Sequence, residues 1–94
     1  MARLTLPAIR AAQAALPNWH CRGQVIRRTY EFAGFPAAVR FVNGVARLAE
    51  KADHHPDIDI RWNRVTLALT THDAGGLTER DFALAAQADR LFRR

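Results

Sequence analysis

Asp57-Ile58-Asp59-Ile60-Arg61-Trp62-Asn63-Arg64-Val65-Thr66-Leu67-Ala68-Leu69-Thr70-Thr71-His72 reads as two strands joined by a tight turn. Ile58, Ile60 and Trp62 alternate with Asp57, Asp59 and Arg61. Val65, Leu67, Leu69 and Thr71 then alternate with Thr66, Ala68, Thr70 and His72. A period of two turns one strand face to a core and the other to water. Asn63-Arg64 is expected to reverse the chain, setting the strands antiparallel and returning His72 to the start of the first strand, beside His55-Pro56.

Upstream of this hairpin the period changes. Pro36 can open a helix, and Ala38, Phe41, Val42, Val45, Leu48, Ala49 and Ala52 form a stripe of period 3.6 that Pro56 must break. Further back, Ile26, Arg28, Tyr30 and Phe32 alternate with Val25, Arg27, Thr29 and Glu31. Together with Trp19–Arg22 across Gly23-Gln24, Val25–Phe32 is expected to form a second hairpin. Leu6–Leu16 is alanine-rich, with Ile9, Ala12 and Leu16 on one helical face, and Pro17 stops it. Downstream, Thr78-x-x-Asp81 has the form of a capping box before a helix with the stripe Leu84, Ala85, Ala88, Leu91 and Phe92. The expected order is α-β-β-α-β-β-α. Two hairpins in one chain require helices over one sheet face, so the class is α+β: a four-stranded antiparallel sheet with helices on one side, one domain over 1–94. The other face is expected to be solvated or covered by a partner subunit.

Composition agrees with one domain. The chain has 94 residues, 49% hydrophobic and 24% charged, which excludes disorder and leaves room for a single core. The single cysteine, Cys21, cannot close an intrachain disulfide, so a reducing compartment is expected. Met1–Pro7 lacks an apolar segment of signal-peptide length, and no run is long enough to span a membrane. The expectation is a soluble cytoplasmic protein. Lys+Arg exceed Asp+Glu by 14 to 9, giving +5, yet Lys51 is the only lysine and the arginines are spread over every element. Arg22, Arg27 and Arg28 make the one compact group, without any helix-turn-helix, zinc or RNP-like pattern. Nucleic acid is therefore not the expected partner.

Four histidines stand at positions 20, 54, 55 and 72. His54, His55 and His72 fall at element ends, where functional groups are usually mounted. Imidazole is the side chain best matched to proton transfer near neutral pH. Three histidines and a water can also hold zinc, but adjacent side chains such as His54 and His55 point apart, and no Cys pair or His-x-x-x-His spacing helps. No metal is expected. Glu50, Asp53, Asp57 and Asp59 gather near the pair, placed as a solvated helix end and strand edge. Trp19, Trp62 and Cys21 are expected to pack in the core.

Glu50-Lys51-Ala52-Asp53-His54-His55-Pro56, Trp62-Asn63-Arg64-Val65 and Thr70-Thr71-His72-Asp73-Ala74-Gly75-Gly76-Leu77-Thr78-Glu79-Arg80-Asp81 together resemble the pterin-4a-carbinolamine dehydratases, also called 4a-hydroxytetrahydrobiopterin dehydratases. The resemblance rests on Glu-Lys-x-x-His-His-Pro with His72 and Asp81 downstream, and Trp19 stands where the family has an early tryptophan. It implies the same α-β-β-α-β-β-α order. It also implies removal of water from a 4a-hydroxytetrahydropterin to give quinonoid dihydropterin, in the recycling that serves aromatic amino-acid hydroxylases. By resemblance His54 and His72 act as acids toward the 4a-hydroxyl and His55 positions the substrate, while Asp81, Glu50, Trp19 and Arg80 match positions around the site. It further implies a homodimer or homotetramer, through the strand Val25–Phe32 or the final helix, and no cofactor, the pterin being the substrate. Ile58 and Trp62 depart from the family pattern, which often has an aromatic residue and a tyrosine at these places. A second function class is a non-catalytic dimerisation, assembly or coactivator module of the same fold, and members without activity tend to lose the histidines.

Overall fold

The computed structural model describes residues 2–94; Met1, at the head of the segment read for a signal peptide, lies outside them. Three helices and four strands follow in the order α1 (Leu6–Ala14), β1 (His20–Arg22), β2 (Val25–Glu31), α2 (Phe35–Ala52), β3 (Asp57–Arg61), β4 (Arg64–Leu69) and α3 (Glu79–Phe92), with a 3-10 turn at His72–Ala74 before α3. The strands form one antiparallel sheet in the order β1-β2-β4-β3.

One face of the sheet is the core. Ile26 and Tyr30 of β2 and Val65, Leu67 and Leu69 of β4 are buried beneath Ala38, Phe41, Val45 and Ala49 of α2 and Phe82, Leu84, Ala85 and Ala88 of α3. The two helices touch closely at Gly44, where a Cβ would stand 2.6 Å from Leu91 Cδ2, so a larger residue there would push the end of the Leu91 side chain aside. Tyr30, Phe32, Phe41 and Phe92 stack in one cluster with ring centroids 4.6–6.1 Å apart, within the range of favourable aromatic pairs. The opposite face carries Arg27, Thr29, Thr66 and Ala68, with the Thr29 and Thr66 hydroxyls 2.7 Å apart.

The caps follow from the sequence. The Thr5 side chain accepts the Ala8 N–H at the start of α1, and Thr78 with Asp81 forms the expected capping box of α3. At the end of α2, Asp53 adopts a left-handed conformation (φ 50°), and the N–H of His54 reaches back to the Ala49 carbonyl. That arrangement closes a helix and releases the chain at a fixed angle.

Four expectations shift. The β3–β4 turn is Trp62-Asn63, not Asn63-Arg64: Arg61 pairs with Arg64, and Trp62 takes φ 52°. Asn63 sets this register, because its Nδ2 donates to the Phe32 carbonyl (2.8 Å) and its own carbonyl accepts the Phe32 N–H (2.9 Å). Second, β3 lies at the sheet edge beyond the reach of the helices, so Ile58, Ile60 and Trp62 are 38%, 39% and 69% exposed rather than packed. Third, β4 ends at Leu69 and His72 opens the 3-10 turn, since Thr71 pairs with Gly76 across the loop instead of continuing the strand. Fourth, β2 is an inner strand bonded on both sides, so it offers no free edge to a second subunit. The compact arginine group also divides: Arg27 lies on the open face, whereas Arg28 points to the helices and pairs with Asp89 at 2.7 Å.

Candidate active site

Three chain segments meet at one end of the sheet. The helix closure at Asp53 delivers His54 and His55 to the start of β3. Asp57 pairs with Ala68, so the hairpin lays His55-Pro56 alongside the end of β4. Thr70, Thr71, His72 and Asp73 follow directly from that end, and Arg80 comes from the first turn of α3. Asp53, His54, His55, Thr70, Thr71, His72, Asp73 and Arg80 line an open cleft of about 220 Å³. That is below the roughly 300–1,000 Å³ of pockets for drug-sized ligands and suits a small ligand held partly in the open.

His54 is the buried histidine, 8% exposed. Its Nε2 lies 2.6 Å from Oδ1 of Asp81, which is wholly buried. Asp81 Oδ2 accepts the Thr78 N–H (2.9 Å) and the Thr71 hydroxyl (2.8 Å). His54 also lines the cleft, and among the described residues no buried side-chain nitrogen or oxygen lacks a partner, so its Nδ1, the nitrogen not facing Asp81, is not sealed away unpaired. His55 turns the other way: its Nε2 sits 2.5 Å from Glu50 Oε2, and both side chains are exposed. His72 is exposed on the cleft wall contributed by the turn after β4. Arg80 Nη2 donates to the carbonyls of Ala52 (3.1 Å) and Asp53, tying the start of α3 to the closure that presents His54. The three histidines thus converge as the hairpin predicts, but His54 and His55 point apart. Among the described residues no three His, Cys, Asp or Glu side chains form a metal-binding group.

The residues expected around the histidines divide. Arg80 lines the cleft. Asp81 does not reach it; as a buried carboxylate it acts on His54 and has no surface for a substrate. Glu50 touches His55 from outside the cleft. Trp19 does not line it: it is wholly buried in the core, and its Nε1 donates to Asp89 Oδ1 (3.0 Å). The sequence reading passed over three residues. Thr71 was visible as a hydroxyl at an inward strand position before His72. Asp89 was visible as an acid on the apolar stripe of α3, four residues after Ala85. Gln24 gave no signal, because its role depends on the meeting of two distant segments: its carbonyl accepts from Thr70 Oγ1 (2.6 Å) and its Oε1 from the Leu77 N–H (3.0 Å).

Residues 2–91 match the family model described as pterin 4 alpha carbinolamine dehydratase. The chain belongs to the pterin-4-alpha-carbinolamine dehydratase family. A protein of Chloroflexus aurantiacus provisionally named pterin-4-alpha-carbinolamine dehydratase is 59% identical over 91 residues, covering 97% of this chain and 98% of that one. A protein of Acidobacterium capsulatum with the same provisional name is also 59% identical over 91 residues, covering 97% and 99%. Among solved structures, the transcriptional coactivator/pterin dehydratase of Brucella melitensis superposes with a TM-score of 0.91 at 35% identity, over 95% of this chain and 97% of that one. A pterin dehydratase-like protein identified as a RuBisCO assembly factor in the alpha-carboxysome shares the fold at a TM-score of 0.65 and 23% identity, over 79% and 86%. Within the family fold, His54, His55 and His72 of this chain line one cleft. No helix among the described residues is long and apolar enough to cross a membrane.

Proposed function

We propose that the chain is a 4a-hydroxytetrahydropterin dehydratase, a cytoplasmic hydro-lyase in the tetrahydrobiopterin recycling that serves an aromatic amino-acid hydroxylase. The observation that carries this reading is the convergence of His54, His55 and His72 on one cleft in a chain of this family. In the reaction the C4a–O bond breaks with its electron pair leaving on oxygen. A proton from an imidazolium converts that hydroxide to water. N5 gives up its proton to a base, and the freed pair forms the C4a–N5 double bond of the quinonoid product. Hydroxide leaves poorly on its own, so a positioned acid is the main requirement.

Geometry supports two acids on two walls. His54 offers Nδ1 from a buried position backed by Asp81, and His72 offers an exposed ring from the turn after β4. Acids on two walls can serve both faces of a flat ring. His55, held by Glu50, fits the positioning role, and Arg80 is placed at the rim. No further cofactor is required by this chemistry, since the pterin is itself the substrate. We further assign the active form to a homodimer or homotetramer.

Stopped-flow absorbance of 4a-hydroxytetrahydropterin decay, generated in situ, tests the reading. Wild type is expected to accelerate decay, and His72→Ala to lose about 10²-fold or more of that acceleration, the usual contribution of a positioned acid, while keeping the wild-type melting temperature. Equal turnover by the variant removes His72 from the chemistry. No acceleration by folded wild type favours the non-catalytic module of the same fold, to be followed by a search for a stoichiometric protein partner.

A further inference from the structure

Thr71 is 3% exposed and stands beside His72, yet its hydroxyl does not serve the cleft. It lies 2.8 Å from Asp81 Oδ2 and 2.9 Å from Thr78 Oγ1. Proton counting orients this pair. A carboxylate only accepts, so the single Thr71 hydroxyl proton goes to Asp81. The Thr78 hydroxyl must then give its own proton to Thr71 Oγ1, which leaves its lone pairs to accept the Arg80 N–H at 3.2 Å. The bonds run in one direction, from Arg80 through Thr78 and Thr71 to Asp81. With the Thr78 N–H also on Oδ2 (2.9 Å), that oxygen is held by two donors and the carboxylate plane is fixed. Oδ1 is left aimed at His54 Nε2, 2.6 Å away, as an acceptor.

We propose that Thr71 is a positioning residue that acts through Asp81 to hold His54 in the Nε2–H form, so that Nδ1 is the nitrogen exchanging protons in the cleft. An oxygen that only accepts demands a proton on the ring nitrogen facing it, and the other nitrogen takes the opposite role. In metal sites, groups that orient a ligating imidazole from behind are worth about 10–100-fold, and the same scale is expected for an imidazole oriented for proton exchange. The kinetic part of the proposal rests on the dehydratase reading; the tautomer does not.

The experiment pairs two-bond proton–nitrogen NMR of the ¹⁵N-labelled histidine rings with steady-state kinetics, on wild type, Thr71→Val and Thr71→Ser. Wild-type His54 is expected as the Nε2–H tautomer. Thr71→Val keeps the side-chain shape but removes the donor, and is expected to give a mixture of tautomers and about a tenfold loss of kcat with KM little changed. Thr71→Ser, which restores the hydroxyl, should restore both. Where the valine variant does not fold, Thr71→Ala, which also removes the donor, takes its place. A wild-type Nδ1–H tautomer overturns the proposal, as does a folded donor-free variant that keeps the Nε2–H form. Wild type with the expected tautomer but no turnover removes the dehydratase reading alone, and the tautomer of the variants then decides the role of Thr71.

Discussion

Asp89 shows how much one side chain can hold in a small core. Its Oδ1 accepts from Trp19 Nε1 (3.0 Å), Arg28 Nη1 (2.7 Å) and the Tyr30 hydroxyl (2.6 Å), joining α3 to β2 and to the segment before β1. The Arg28 guanidinium also lies 4.3 Å from the centre of the Tyr30 ring. Removing one partner of a buried ion pair costs about 3–5 kcal/mol, and each kcal/mol moves the melting point of a domain this size by roughly 4–8 °C. Asp89→Ala is therefore expected to melt well over 10 °C below wild type by calorimetry, while conservative loss of one donor is far milder. Tyr30→Phe removes only the phenol and should cost about 1 kcal/mol at neutral pH. Its alkaline behaviour is more telling. Burial, with the Asp89 carboxylate second, pushes the Tyr30 phenol far above its ordinary 10.0. Below that value both states hold the proton and stability is insensitive to it. Above it the unfolded chain releases the proton and the folded chain does not, so stability falls as pH rises, by up to about 1.4 kcal/mol per pH unit. Denaturant unfolding at about pH 9 and about pH 11 should show this slope in wild type and a shallower one in Tyr30→Phe; parallel slopes would show that Tyr30 titrates alike in both states.

Segments that meet from afar decide where His72 stands. The loop after β4 is closed by Thr71 and Gly76 bonding in both directions, by Gln24 gripping Thr70 and Leu77, and by the Leu4 N–H on the Leu77 carbonyl. Gln24→Ala leaves the Leu77 N–H without its acceptor, at a cost of about 1–2 kcal/mol. Amide exchange at Thr71 and Gly76 is expected to quicken, with that at α2 unchanged; unaltered exchange in the loop would show that the Gln24 grip is redundant. Such a clasp marks the boundary of what the sequence reveals. Period and breakers place every helix and strand within a few residues, and the β3–β4 hairpin alone predicts that His54, His55 and His72 converge. The turn register was not legible, because Asn63 is fixed by Phe32 of another hairpin rather than by its neighbours. Resemblance alone draws Trp19 to the site, whereas its indole is committed to Asp89, 70 residues further along the chain. The sequence offers Asp81 both as a cap and as a group near the site. It is both, a capping carboxylate whose second oxygen faces His54.

The molecule as a whole leaves one long strand uncovered. Of the two sheet edges, β1 has three residues, while β3 has five and carries Ile58 and Ile60 more than a third exposed on the face that should be dry. An edge with unpaired backbone groups and apolar side chains is a template for another chain, and β3 contains neither proline nor lysine to blunt it. Its sequence is also self-complementary. Antiparallel pairing of two copies about Asp59 sets Ile58 against the partner's Ile60 and Asp57 against the partner's Arg61, continuing the four strands into eight; the one opposing contact is Asp59 against the partner's Asp59, on the wet face where water screens it. Cross-strand pairs of these kinds each contribute roughly 0.2–1 kcal/mol beyond the backbone bonds, and burial of the four isoleucines adds to them. Wild type is thus expected to sediment as a dimer or larger. Ile60→Lys places a charge on the dry face of the seam and should sediment as a monomer that keeps the wild-type circular dichroism. If that variant still associates, the contact lies on the helices, and Arg90→Glu on the exposed side of the final helix becomes the discriminating change. Because His55 and Pro56 lead directly into β3, pairing at this edge would also stiffen one wall of the histidine cleft, so kcat should fall with dilution through the dissociation range in wild type and be independent of concentration in Ile60→Lys.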